Sequence, residues 1–263
     1  MQLVVLSYPK HYHITQLCVK HALKYIPNIK KIWVVWDDTH GIEPEIPLRS
    51  LIRNKFNLGE CPGINWSHLI PHIKCDNNIK DNVGQQIIKL HLDLVINDDF
   101  IILDGDTIIN QPIDPVNIFY SNRMHILHSR YNHVNHVLGI PNYEYWTNTF
   151  MYVKSAWLKG LRDHVHMVTG KSVADLLEYG GFGNFPVYEW ELIAKYVLDI
   201  LKVPRKIEYF DKAFVKTYLF EKHFNYDSNF ALNGPDDLSQ TFMENLGITV
   251  DKKLMMQLNY ENA

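Results

Sequence analysis

The first 105 residues of the chain alternate between short apolar runs rich in β-branched residues and segments whose apolar residues recur with helical spacing. The runs Leu3–Leu6 and Ile32–Trp36 predict buried strands, and the segment between them predicts a helix over His13–Tyr25. Strands joined through a helix lie parallel in one sheet, because a tight turn cannot connect a parallel pair. The alternation therefore predicts an α/β fold with a parallel sheet.

The pattern continues to Asp104, and a less regular mixture of strands and helices follows. The first half predicts a loop over 39–48, a short helix Leu48–Phe56, a weak strand Trp66–Ile70, a helix Val83–Asn97 and a strand Phe100–Leu103. The second half predicts strands Met124–His128 and Thr149–Val153, helices Ala156–Val168, Ser172–Tyr179 and Val187–Leu201, and a strand Lys206–Phe210 that returns to the sheet. Because no repeat or Pro-, Gly- or Ser-rich linker divides the chain, we expect a single domain over 1–263.

Composition argues against several classes of protein. The 26 Lys and Arg residues against 29 Asp and Glu leave a formal net charge of -3, so no global basic field is present to hold a nucleic acid. No stretch approaches the ~20 apolar residues of a membrane span. The three cysteines, Cys18, Cys61 and Cys75, are odd in number and form no CxxC pair. They indicate reduced thiols, so we expect a cytoplasmic protein. From the charge and the apolar runs we also expect no nucleic-acid partner and no membrane span.

The most informative stretch is Asp104-Gly105-Asp106, which follows the apolar strand Phe100–Leu103. Side chains two positions apart in an extended backbone point to the same side, so we expect the carboxylates of Asp104 and Asp106 to converge. Carboxylate oxygens suit hard cations, which often complete their shell with substrate phosphates. The strand also ends where open α/β sheets bind ligands. By themselves these residues fit either an ordinary polar turn after a strand or a site for Mn²⁺ or Mg²⁺, and the preceding βαβ series and the strand placement favour the metal site.

This strand and Asp-x-Asp, preceded by a helix carrying Gln86 and Lys89, resemble the DxD glycosyltransferases of the GT-A fold. Still more similar is a poorly characterised group of bacterial and viral glycosyltransferase-like proteins, which carry a later Tyr-Glu, here Tyr188-Glu189. The resemblance implies an α/β GT-A fold with a Rossmann-like N-terminal half and a mixed central sheet. It also implies that residues 1–115 bind a nucleoside-diphosphate sugar and residues 116–263 a hydroxyl acceptor, such as a glycan.

The resemblance assigns roles to individual residues. Asp104 and Asp106 would bind the metal, and the nucleotide-sugar contacts would come from Ser7, Tyr8, Asp38, Gln86, Lys89, Asp104 and Gly105. Taken by themselves, Lys89 is either a solvated helix charge or a phosphate contact, and Asp38 either caps a strand end or binds base or ribose. The segment that supplies a histidine ligand in the glycogenin-like branch is absent, so only a later histidine such as His223 remains as a candidate.

An inverting enzyme needs a carboxylate to take the acceptor proton, and Glu189 is the first choice, with Glu191 second. In a retaining enzyme the same residue would instead orient the sugar. Aromatic residues that either pack in the core or form an acceptor platform are Tyr143, Tyr145, Trp146 and Phe182. Two alternatives stay open: a haloacid-dehalogenase-like phosphotransferase with Asp104 as nucleophile, and a catalytically silent sugar- or nucleotide-binding module.

Overall fold

The central sheet is mixed, with four parallel strands and one antiparallel strand at its edge. The computed structural model describes residues 1–7, 12–39, 45–73, 81–105, 107–109, 111–121, 137–139, 150–178, 189–209 and 214–216. Within them, the sheet has the order β3-β2-β1-β4-β7. Its strands are β1 (Gln2–Ser7), β2 (Lys31–Trp36), β3 (Gly63–Asn65), β4 (Phe100–Asp104) and β7 (Phe150–Val153). β7 runs antiparallel to β4, and the other pairs are parallel.

Two smaller sheets complete the described strands. β5 (Thr107–Ile109) pairs with β9 (Phe214–Lys216), and β6 (Ile118–Ser121) pairs with β8 (Lys206–Tyr209). The prediction that Lys206–Phe210 returns to the central sheet is therefore wrong, because β8 takes its hydrogen bonds from β6 instead.

The described α-helices are α1 (Tyr12–Tyr25), α2 (Glu45–Lys55), α3 (Trp66–Leu69), α4 (Asp81–Lys89), α5 (Ser155–Thr169), α6 (Val173–Glu178) and α7 (Glu189–Lys195). Turns of 3₁₀-helix cover Ile70–His72 and Leu92–Leu94, and a π-helical turn, Tyr196–Ile200, continues α7. No helix among the described residues is long and apolar enough to cross a bilayer.

Apolar residues fill both faces of the central sheet. Alternate residues of β1 enter two different clusters, with Val4 and Leu6 on one face and Leu3 and Val5 on the other. The first cluster includes residues of α4, α5, α6 and α7, and the second includes residues of α1 and α2. Helices on both sides explain why the strands read as continuous apolar runs instead of alternating with polar residues.

Most predicted elements are present, but three have different bounds. The weak strand predicted over Trp66–Ile70 is wrong, because β3 ends at Asn65 and α3 begins at the next residue. The local reason is Asp38, whose carboxylate accepts hydrogen bonds from the backbone and hydroxyl of Ser67 and so stabilises a helical first turn. The short helix predicted to begin at Leu48 begins earlier, with α2 at Glu45.

The helix predicted over Val83–Asn97 ends early, at Lys89. In a continuing α-helix the His91 amide would donate to the Ile87 carbonyl oxygen. Here that oxygen lies 2.7 Å from His91 Nδ1, and the His91 amide donates to the Ile88 carbonyl oxygen. Leu94 and Val95, which the spacing of a helix over Val83–Asn97 would place on its apolar face, consequently lie 45% and 40% exposed. The predicted strand Met124–His128 lies outside the described residues.

Candidate functional site

Asp104 ends β4 at the carboxyl edge of the sheet, and Gly105 follows it. A Cβ atom at Gly105 would lie 2.2 Å from the carbonyl oxygen of Leu6 and 2.9 Å from Thr15 Oγ1. Only glycine fits there, because both separations are far shorter than van der Waals contact. The thiol of Cys18 donates a 2.8 Å hydrogen bond to the Gly105 carbonyl oxygen. The turn after β4 is therefore held against β1 and α1.

Ser7, predicted to contact the nucleotide, ends the neighbouring strand β1 and is buried. Its Oγ lies 2.7 Å from Thr15 Oγ1 on α1. The hydroxyl of Ser7 thus joins β1 to the same helix that holds Gly105, and both residues lie at one edge of the sheet.

Lys89 is the centre of a buried ion-pair network. Its ammonium nitrogen lies 2.6 Å from Asp104 Oδ1 and 2.6 Å from Glu189 Oε1. The side chain is not a solvated helix charge, because Lys89 is only 1% exposed, and Asp104 and Glu189 are 7% and 3% exposed. Three separate elements supply these groups, namely α4, β4 and α7. We refer to Lys89, Asp104 and Glu189 as the charged triad.

The ring of Trp190 completes the surroundings of this ammonium. Lys89 Nζ lies 4.4 Å from the centroid of the Trp190 ring, within the range of a cation–π interaction. Burial by itself lowers the pKa of Lys89, but the charges and hydrogen bonds of Asp104 and Glu189 outweigh it and raise the pKa above its ordinary value. Lys89 is therefore charged at neutral pH, and one ammonium with two carboxylates gives the charged triad a formal net charge of -1.

Glu191, the second candidate base, belongs to a different network. It follows Glu189 by two residues and so points about 200° away around α7. Glu191 and Lys195 are both buried, and they are four residues apart on the same face of α7. Burial lowers the pKa of Lys195, and the carboxylates of Glu191 and Asp199 offset only part of this effect. The structure thus places the two candidate glutamates in different surroundings, with Glu189 beside Lys89 and Glu191 near Lys195.

Two further predicted contacts have clear positions. Asp38 follows β2 at the carboxyl edge of the sheet, and its Oδ1 accepts a 2.9 Å hydrogen bond from the Ser67 amide. This carboxylate therefore stabilises the start of α3, a role that differs from the strand-end cap considered from the sequence. Gln86 is half-buried on α4, three residues before Lys89, and its Oε1 is buried without a hydrogen-bond partner among the described residues.

Several predicted site residues lie outside the described residues. They are Tyr8, Asp106, Tyr143, Tyr145, Trp146, Phe182, Tyr188 and His223.

The chemistry of the donor set suits a hard divalent cation. Asp104 provides a carboxylate, and a carboxylate has two oxygens with about four lone-pair positions, so an ammonium at Oδ1 is compatible with a cation on the same group. Within the described part of the chain, no three His, Cys, Asp or Glu side chains form a group that could hold a metal.

Sequence reasoning missed the roles of Thr15, Cys18 and Lys195. The Glu191 and Lys195 pair has a local signal in its four-residue spacing on a helix. Thr15 and Cys18 have none, because their partners Ser7 and Gly105 are brought to them by the packing of α1 on the sheet.

No protein-family model matches the chain, and no curated protein matches it. Among solved structures, the chain is similar to the crystal structure of galactosyltransferase LgtC in complex with donor and acceptor sugar analogues. The sequence identity is 12%, and the TM-score is 0.48. The match covers 80% of this chain and 73% of that chain.

Proposed function

We propose that this protein is a metal-dependent glycosyltransferase of the GT-A type, which transfers a sugar from a nucleoside-diphosphate donor to a hydroxyl acceptor. The observation that supports it is the charged triad at the carboxyl end of β4, where open α/β sheets bind ligands. Burying Lys89 between the first aspartate of Asp-Gly-Asp and a glutamate on α7 costs free energy, because buried charges lose their hydration. A functional role for these charges explains why they are buried here.

In this proposal Asp104 and Asp106 hold Mn²⁺ or Mg²⁺. The metal, when bound, stabilises the negative charge that develops on the departing nucleoside diphosphate. The contacts to the nucleotide sugar come in this proposal from Ser7, Tyr8, Asp38, Gln86, Lys89, Asp104 and Gly105. Of these, Ser7 and Asp104 end strands at the carboxyl edge of the sheet. The Ser7 hydroxyl already bonds to Thr15, and the Asp38 carboxylate already bonds to Ser67. We therefore expect Ser7 and Asp38 to shape this site as much as to bind the nucleotide.

Glu189 is the preferred catalytic carboxylate. Its Oε1 shares the Lys89 ammonium with Asp104, so it lies close to the group that would hold the diphosphate. Glu191 points to another side of α7 and pairs electrostatically with Lys195. Glu189 either accepts the proton of the acceptor hydroxyl or orients the donor sugar, depending on whether the enzyme inverts or retains configuration.

The experiment is release of nucleoside diphosphate from a panel of nucleotide sugars, with Mn²⁺ and a set of sugar acceptors. We expect Asp104→Ala and Asp106→Ala to lower turnover at least ~100-fold. The matched control is Asp163→Ala, which removes an exposed aspartate on α5 paired with Lys159 and should not change turnover. Full turnover by Asp104→Ala contradicts the proposal, and a phosphoaspartate trapped at Asp104 would favour the phosphotransferase alternative.

A further inference from the structure

Lys89 places a permanent positive charge on the carboxylate that is proposed to hold the metal. Its ammonium lies 2.6 Å from Asp104 Oδ1, and the side chain is almost completely buried. We propose that Lys89 is a built-in cation that prevents Asp104 from binding a divalent metal alone, so that metal and diphosphate enter the site together. This inference rests on the proposed function and adds the order in which its components bind.

A metal arriving alone meets a carboxylate whose charge the Lys89 ammonium already partly neutralises. Any cation bound to Asp104 shares that carboxylate with the Lys89 ammonium, and like charges in a buried site repel strongly because water screens them little. The ammonium cannot easily leave, since Glu189 holds the same nitrogen at 2.6 Å and Trp190 lies against it.

A metal carried by a diphosphate meets a different field. The two phosphate groups of a nucleotide sugar neutralise the divalent cation, so the pair brings almost no net charge into the site. The phosphates are in addition attracted to the Lys89 ammonium, which offsets its repulsion of the metal. The same lysine therefore weakens binding of the free metal and favours the metal–diphosphate complex, which is a coupling between two ligands.

The test is the affinity of the full chain for Mn²⁺, measured by calorimetry and by electron paramagnetic resonance, without nucleotide and with saturating UDP or GDP. The informative variant is Lys89→Met/Glu189→Gln, which removes the ammonium yet leaves the net charge of the charged triad unchanged. Lys89→Gln/Glu189→Gln, which retains a hydrogen-bond donor, serves if the methionine variant does not fold. The matched control is Glu189→Gln, which keeps the ammonium on Asp104.

We expect either double variant to bind Mn²⁺ without nucleotide at least tenfold more tightly than the wild type, and Glu189→Gln to bind it no more tightly. Double variants with the wild-type affinity for free Mn²⁺ overturn the inference while leaving the proposed function intact. Failure of the proposed function gives another result: wild type binds no Mn²⁺ even with nucleotide, or Asp104→Ala binds it unchanged.

Discussion

The two buried lysines near α7 have similar burial but opposite changes in pKa. Lys89 is held by two carboxylates at 2.6 Å, one from β4 and one from α7, and its pKa is raised. Lys195 lies on α7 itself, with Glu191 and Asp199 as its charged neighbours, and burial dominates so that its pKa is lowered. Both lysines have two carboxylate neighbours, but only at Lys89 do hydrogen bonds add to their charges and outweigh burial, so the pKa is raised there and lowered at Lys195.

This difference bears on function. A lysine whose ammonium is stabilised from two elements acts as a fixed charge, and it also ties α4, β4 and α7 together at the carboxyl edge of the sheet. At Lys195 burial outweighs the charges of Glu191 and Asp199, so its charged form is less favoured on folding. We therefore expect the Lys89 region to be more sensitive to loss of charge than the Lys195 region.

The largest expected effect comes from Lys89→Met. Removal of the ammonium leaves Asp104 and Glu189 as buried carboxylates without their shared cation, and we expect a loss of roughly 3–5 kcal/mol in the free energy of unfolding at pH 7. Denaturant titration measures the loss. The matched control is Lys159→Met, which breaks an exposed pair with Asp163 and should cost less than about 1 kcal/mol. Equal losses in the two variants would contradict a special role for Lys89.

His91 is a third buried basic side chain, and its hydrogen-bond partner is a neutral carbonyl instead of a carboxylate. It tests whether such a partner can offset the effect of burial on the pKa. Burial lowers the pKa of His91 to about 4. The hydrogen bond to the Ile87 carbonyl raises this pKa but does not offset burial, and the charge of the nearby Arg162 lowers it further. Because the folded pKa lies below the unfolded value, the unfolded state binds more protons, and stability falls as the pH drops from about 6.5 to about 4. The full loss from this group is about 3 kcal/mol.

The measurement is the free energy of unfolding across this range for wild type and for His91→Asn, whose side chain can still donate to the Ile87 carbonyl. We expect the variant to lose less stability on acidification than the wild type. His166→Asn changes an exposed histidine on α5 and should retain the wild-type slope. A slope unaltered in His91→Asn would show that other groups cause the acid sensitivity.

Substitution of the two glutamates of α7 compares the Lys89 and Lys195 regions by their effect on kcat. Under the proposed function, Glu189→Gln should lower kcat about 100-fold, because the amide can neither accept a proton nor balance the Lys89 charge. Glu191→Gln should lower kcat only a few-fold, since its carboxylate points away from Asp104. Steady-state rates with the best nucleotide sugar decide between them, and a larger loss in Glu191→Gln would reverse the assignment.

The smallest effect is expected for Lys195→Met. Because the pKa of Lys195 is lowered on folding, its charged form is penalised in the folded state, and this penalty is relieved as the pH rises toward 10.5, the ordinary value. We expect a smaller loss at pH 7 than Lys89→Met shows, and a smaller gain in stability than the wild type shows as the pH rises toward 10.5. Denaturant titrations at pH 7 and at higher pH measure the loss and the gain in stability. A loss at pH 7 as large as that of Lys89→Met would contradict the difference between the two lysines.

Local pattern was a good guide to the elements and a poor guide to their ends. The apolar runs at β1, β2 and β4 were predicted within one or two residues, since burial on both faces leaves only apolar side chains. The end of α4 was not predictable, because it depends on a side-chain bond from His91 to the Ile87 carbonyl. The start of α3 depends likewise on Asp38, which comes from another strand.

The candidate site divides in the same way. The sequence by itself determined the α/β class, the parallel strands and the position of Asp104 at a strand end, because periodicity and turn residues act over a few neighbours. Only the tertiary structure decided that Gly105 lies against Leu6, and that Lys89 joins Asp104 to a glutamate 100 residues further along the chain. Charge pairing and close packing act through space, so their outcome depends on how the helices and strands come together.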